Sequence, residues 1–201
     1  MKTQIRNPWF NFKLVAVLSS VALLPALAQA HPLHGTANSF SSGLNHPLHG
    51  LDHILAMVAV GLWAAQIGGR ALWLVPATFV SLMTVGGMLG MMAVPVPGVE
   101  AGILVSVLAL GLLIAAAARL PLAASVALVG LFAIFHGHAH GTELPAAASG
   151  LSYGLGFLLA TVGLHACGLG VGLLAQKRFT VPAIRFAGGA IALGGLCLWL
   201  A

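Results

Sequence analysis

Three histidines and the only aspartate of the chain fall within eight residues, His46-Pro47-Leu48-His49-Gly50-Leu51-Asp52-His53, at the head of a long apolar run. Continued as one helix, the stretch places His49, Asp52 and His53 at i, i+3 and i+4, on one face, where they can converge on a single small cation. Imidazole nitrogen with carboxylate oxygen suits a borderline divalent ion such as nickel, cobalt or zinc. His46 lies about 10 Å before His53 along such a helix, but Pro47 allows an unwound start from which His46 folds back onto the site. A second cluster, Phe135-His136-Gly137-His138-Ala139-His140-Gly141-Thr142-Glu143, lies far along the chain. There His136 and His140 share a helix face while His138 points elsewhere. Glu143 extends the set if the helix continues past Gly141, and is otherwise a loop acid. The two clusters hold six of the nine histidines and two of the three acidic residues, so metal chemistry is expected there.

What must position these residues is a membrane-embedded scaffold. Hydrophobic residues make up 60% of the chain and charged residues 5%, with a mean hydropathy of +1.05, against roughly 25% charged in an ordinary soluble domain. The chain is therefore read as an all-α, polytopic transmembrane bundle in a lipid bilayer. Residues 1–30 join a basic start to an apolar run over 14–27 and to Ala28-Gln29-Ala30, the small-x-small pattern of a signal peptide cleavage site. The alternative, an uncleaved first transmembrane helix, has against it the short run and Pro25 inside it. Residues 31–46, polar and glycine-containing, read as an extracytoplasmic arm. Six apolar stretches follow, about 47–69, 71–93, 99–118, 121–138, 150–175 and 181–200, and form a six-helix domain over 47–201.

A secreted amino terminus puts Arg70, Arg119, Lys177 and Arg178 in cytoplasmic loops and Arg185 just inside the next helix, as the positive-inside rule requires. Both clusters and Glu100 then fall at the outer surface. The formal charge of +5 includes Lys2, Arg6 and Lys13; without that leader, five basic and three acidic residues remain. A basic balance so small gives no reason to expect a nucleic-acid partner.

Other residues invite readings of their own. His31-Pro32-Leu33-His34-Gly35 repeats the five letters that begin at His46, and offers His31 and His34 either as a weaker capture site or as a plain tail. The amino-terminal copper and nickel chelate is excluded, because Pro32 has no amide hydrogen and the third position is Leu33. His165, one turn from Thr161, is either a core histidine bonded to a neighbouring backbone or a way-station for an ion. Met83, Met88, Met91 and Met92 are soft-ligand residues that read as gap-filling. Cys167 and Cys197 lie at different depths without CxxC spacing, and read as small packing residues and not as a disulfide. Gly86 with Gly90, Gly150 with Gly154, and Gly168, Gly170 and Gly172 read as close helix packing.

The run His46-x5-Asp52-His53 followed by Ile54-Leu55-Ala56-Met57-Val58-Ala59-Val60-Gly61-Leu62-Trp63, with Phe135-His136-Gly137-x-Ala139-His140-Gly141-x-Glu143 downstream, resembles the HupE/UreJ family of nickel/cobalt permeases. These are bacterial inner-membrane proteins associated with hydrogenase or urease maturation, and the resemblance covers essentially the mature chain. It implies a secondary permease, not an enzyme, that takes Ni2+ or Co2+ at an outward-facing His/Asp site and passes it to the cytoplasm. It also implies that His46, Asp52, His53, His136, His140 and Glu143 are the metal residues. His49 and His138 are additions to the usual pattern. The implied location is the inner membrane, multi-pass, with the mature amino terminus in the periplasm. From the residues alone two other classes stay open: a metal-binding membrane accessory or sensor protein, and a metal-dependent membrane hydrolase working through an activated water.

Overall fold

In a computed structural model the described residues are 39–146, 148–178 and 181–201. The expected leader over 1–30, and His31 and His34 of the arm, lie outside them. Helix α1 (Ser39–Asn45) is followed by a single 3-10 turn (His46–Leu48) and by six longer helices: α2 (Leu51–Ile67), α3 (Ala71–Met91), α4 (Val99–Ala115), α5 (Leu122–Thr142), α6 (Gly150–Arg178) and α7 (Val181–Leu200). Among the described residues, α3, α5, α6 and α7 are each long and apolar enough to cross a bilayer, and α1 with α2 makes one further span broken by a 79° bend. At 17 residues, the apolar α4 is shorter. The fold is an all-α polytopic bundle.

Two expectations are corrected here. The arm is not irregular throughout, because Ser39–Asn45 is helical. Two glycines explain it: Gly43 packs on the Tyr153 carbonyl and Gly156 on the Phe40 carbonyl, so α1 lies directly against α6. Tertiary packing of this kind outweighs weak local propensity. Nor does the first long helix begin at Pro47. Gly50 is extended (φ −88°, ψ 112°) and α2 starts at Leu51, so the 3-10 turn points away from the α2 axis.

The bundle is built from helix pairs that touch backbone to backbone, as expected where lipid supplies no hydrophobic drive and small residues let helices approach. On α3 and α5, Gly86 meets the Ile134 carbonyl and Gly137 the Met83 carbonyl. For α2 and α6 the contacts are Gly61 on the His165 carbonyl and Gly168 on the Val58 carbonyl, and for α4 and α7 they are Gly111 on Ala192 and Gly188 on Ala115. Of the glycines singled out in the sequence, Gly154 and Gly170 meet nothing within 4 Å and contribute no such contact. Trp63, Phe79, Met57, Met83 and Leu110 fill the core, while Trp73, Leu112, Leu131, Phe186 and Leu193 are exposed on the perimeter. Of the four methionines only Met83 is core; Met88, Met91 and Met92 are exposed. Cys167 and Cys197 are free and exposed, facing outward where close packing was expected.

The two ends of the bundle differ in chemistry. At one end, carbonyls in and just after the last turns of α2 and α4 accept hydrogen bonds from polar side chains: Trp63 Nε1 to Ala118 O (3.1 Å), Gln66 Nε2 to Ile114 O (3.1 Å), Gln176 Nε2 to Ala65 O (2.7 Å) and Arg185 Nε to Ala115 O (2.7 Å). The α2–α3 turn at this end uses Gly68 and Gly69 at φ 78° and 55°, in the left-handed region that glycine enters without steric cost. The opposite end carries the histidines.

Candidate metal centre

At that opposite end the start of α2, the end of α5 and the start of α6 meet, and two three-residue clusters form. The outer one is His46, His140 and the exposed Glu143; the inner one is His53, His136 and His140. Within each, the donor atoms lie within 4.8 Å of one another. His53 and His136 are fully buried (0% exposed), so a cation moving from the first cluster to the second leaves water for the interior. His140 belongs to both.

The 3-10 turn is what brings His46 in. His46 Nε2 donates to Glu143 Oε2 at 2.8 Å and faces His140 Nδ1 at 3.1 Å. Its ring also stands 5.8 Å from that of Tyr153. Helix α5 runs on through Gly141 to Thr142, so Glu143, capping it, comes within 3.0 Å of His140 Nδ1. The Glu143 carboxyl is pulled from its ordinary value down to about 2, chiefly by the hydrogen bond from His140, with His46 adding to it against partial burial that pushes the other way. The outer cluster therefore keeps an anionic oxygen at any ordinary pH.

The inner cluster is held by two hydroxyls that sequence reading did not select. Thr161 on α6 donates to the Phe157 carbonyl at 3.0 Å and so accepts from His53 Nε2 at 3.3 Å. That tautomer leaves the His53 Nδ1 lone pair facing His140 Nε2, 3.1 Å away. Ser106 on α4 donates to the Ile103 carbonyl at 2.6 Å and accepts from His136 Nε2 at 2.8 Å. His136 Nδ1 is then left as a buried lone pair with no partner among the described residues. The reverse tautomer would bury an orphan N–H donor, the rarer and costlier outcome. A second hydrogen bond that fixes ring orientation and tautomer is the usual support of a metal-ligating histidine. The signal for Ser106 was available: it is the only hydroxyl in α4.

Three expected ligands stand apart. His49 lies outside α2 and its Nδ1 bonds the Asn45 carbonyl at 2.8 Å. It shares no helix face with Asp52 and His53, because Gly50 breaks the helix between them. Asp52, half-buried in the first turn of α2, accepts the His53 backbone N–H at 2.7 Å and enters neither cluster. His138 Nε2 donates to the Val94 carbonyl at 2.8 Å, which ties α5 to the α3–α4 loop. His165 lies deeper, with neither ring nitrogen bonded among the described residues. A cavity of about 210 Å³ is lined by His140 together with Met83, Met88, Met91 and Tyr153.

Comparison with known proteins identifies the family. A family model described as HupE / UreJ protein matches residues 19–198. Protein HupE of Rhizobium leguminosarum bv. viciae is 46% identical over 187 residues, which take in 92% of this chain and 96% of that protein. No solved structure matches the chain. With a matched family over most of its length and a His-rich end to its helical bundle, the chain belongs to the HupE/UreJ family, whose members are membrane transport and accessory proteins and not enzymes.

Proposed function

We propose that the protein is a secondary permease for divalent nickel, with cobalt as the alternative cargo, seated in the bacterial inner membrane with its histidine-bearing end facing the periplasm. The ion supplied to the cytoplasm would serve metalloenzyme maturation, of hydrogenase or urease. One observation carries the reading: His140 completes both a partly exposed His/His/Glu cluster and a buried three-histidine cluster. A cation caught at the surface can pass inward by exchanging ligands around one shared ring. Two imidazoles with a carboxylate, then three imidazoles, are borderline donor sets that favour nickel or cobalt over calcium or magnesium.

In this reading His46, His140 and Glu143 capture the ion and His53, His136 and His140 receive it. Asp52, beside the mouth and in neither cluster, adds negative charge that raises the local concentration of cations. The leader over residues 1–30 and the arm over 31–46 belong to the same proposal, as does the inward delivery of positive charge past Arg70, Arg119 and Arg185 at the far end.

The test is uptake of radioactive nickel by proteoliposomes containing the purified chain, beside vesicles carrying His140→Ala. Uptake in the first and its loss in the second is the expected result. Binding of nickel by the wild-type chain without accumulation in the vesicle lumen would instead make it a metal-binding accessory or sensor protein.

A further inference from the structure

Below the two clusters, along α6, a third element is in place. Tyr153, Phe157, Thr161 and His165 recur every four residues, and all are buried. They form a column whose rungs are about 6 Å apart. The upper three rungs touch the clusters: Tyr153 stands against the His46 ring, Phe157 against the rings of His46, His53 and His140, and Thr161 bonds His53. His165 is the next rung inward. It is 3% exposed, and neither of its ring nitrogens has a hydrogen-bond partner among the described residues. A buried imidazole left without partners is costly and calls for a reason.

The ring of Phe79 fills the space between. It lies 5.8 Å from the His136 ring on one side and 5.2 Å from the His165 ring, edge on, on the other. Beyond it His165 borders an open groove of about 380 Å³ between α3 and α6, lined also by Leu72, Pro76, Val80 and the exposed Ser81 and Val162. From Ser81 to Leu72 this space follows α3 for about 13 Å, toward the end of the bundle opposite the clusters. Pro76 is inside α3 and has no N–H to give the Leu72 carbonyl one turn before it. The groove therefore carries the Ser81 hydroxyl and, at Leu72, a carbonyl oxygen released from the helix ladder, while the two unpartnered His165 nitrogens are themselves buried beside it.

We propose that His165 is an inner station for the transported cation, separated from the His53/His136/His140 cluster by the Phe79 ring and lying beside the groove between α3 and α6. The proposal rests on the permease reading. The cation leaves the buried cluster, passes the Phe79 edge, is held by His165, and leaves along the oxygen-bearing wall of α3. No proton or electron is required to change hands beyond ligand exchange.

Cobalt serves as a spectroscopic probe and radioactive nickel as the flux probe, with the full chain in proteoliposomes. His165→Ala should bind cobalt at the clusters with wild-type affinity and yet slow nickel uptake by about tenfold or more, as added barriers do. His165→Cys should show a sulfur-to-cobalt charge-transfer band that the wild-type chain, with its native Cys167 and Cys197, lacks. Wild-type uptake by His165→Ala, a parallel loss of binding and uptake in that variant, or no such band in His165→Cys would each overturn the proposal. Absence of uptake by the wild-type chain would instead strike the permease reading, while the band would still report whether cobalt reaches position 165.

Discussion

His140 Nε2 lies 3.1 Å from His53 Nδ1, so one ring of α5 closes the gap to the head of α2. Its other nitrogen is 3.0 Å from Glu143. A neutral imidazole has a single lone pair, so His140 ligates in one cluster at a time. The two clusters are then alternative stations for one ion and not two independent sites. Titration calorimetry should give one nickel per chain. His140→Ala should cost more affinity than His46→Ala or His136→Ala. The pair His53→Ala and His140→Ala should be non-additive, with a coupling of roughly 0.5–3 kcal/mol. Two ions bound at once, or strict additivity, would make the clusters separate.

Proton competition sets the pH dependence. Metal ligation needs a histidine nitrogen free of its proton, and imidazole titrates near pH 6.5 in the absence of perturbation. Nickel affinity should fall as external pH drops from about 7 to about 5. Glu143 does not share in that loss. Its carboxyl is held down to about 2, so the stabilisation it brings to the outer cluster is complete above the ordinary carboxyl range and disappears only as pH falls toward that value. Glu143→Gln should therefore weaken binding at every pH in this window, since the carboxylate stays charged throughout it. Wild-type affinity for Glu143→Gln across the whole window would remove the carboxylate from the outer cluster.

What the sequence disclosed and what it withheld follow from the range of the interactions involved. The apolar stretches, the pairing of His136 with His140 and the reach of Glu143 depend on helical periodicity, which a few residues determine locally. The break at Gly50 was hidden because a glycine within an apolar run is compatible with a continuous helix, and only the seating of α1 on α6 makes the bend favourable. That one misplaced boundary put His49 on the wrong face and hid His46 as the residue that meets Glu143. Thr161 and Ser106 act across 108 and 30 residues of chain. No local pattern encodes such contacts; for Ser106 a lone hydroxyl in an apolar helix was the only sign.

The Thr161 hydroxyl is expected to matter through His53 and not by touching metal. Thr161→Val keeps the volume but removes the acceptor that holds the His53 proton on Nε2, so Nδ1 no longer presents a lone pair to the site. Loss of such a supporting partner typically costs about 10–100-fold in metal affinity. Thr161→Ser, which keeps the hydroxyl, should restore binding, whereas a purely steric role would leave Val the better replacement. Ser106→Ala should act on His136 in the same way, read by cobalt spectra reporting fewer imidazole ligands in the buried cluster.

Glycine packing gives the last prediction, because it decides whether α5 can hold its two ligands in register. Gly137 sits between His136 and His140 in sequence and packs on the Met83 carbonyl and the Gly87 nitrogen of α3. A methyl group there meets backbone, which cannot rotate away, so the helices must separate. Gly154, on α6, has nothing within 4 Å of where its Cβ would be. Overpacking of a tight contact costs about 1–3 kcal/mol, while replacing an unpacked helical glycine by alanine gains up to about 1 kcal/mol in propensity. Gly137→Ala should therefore lower the melting temperature in detergent and weaken nickel binding together, since moving α5 moves His136 and His140. Gly154→Ala should raise the melting temperature slightly and leave binding unchanged. Equal melting temperatures for the two variants would mean that α3 and α5 have slack at this contact, and the spacing of the metal ligands would then have to be set elsewhere.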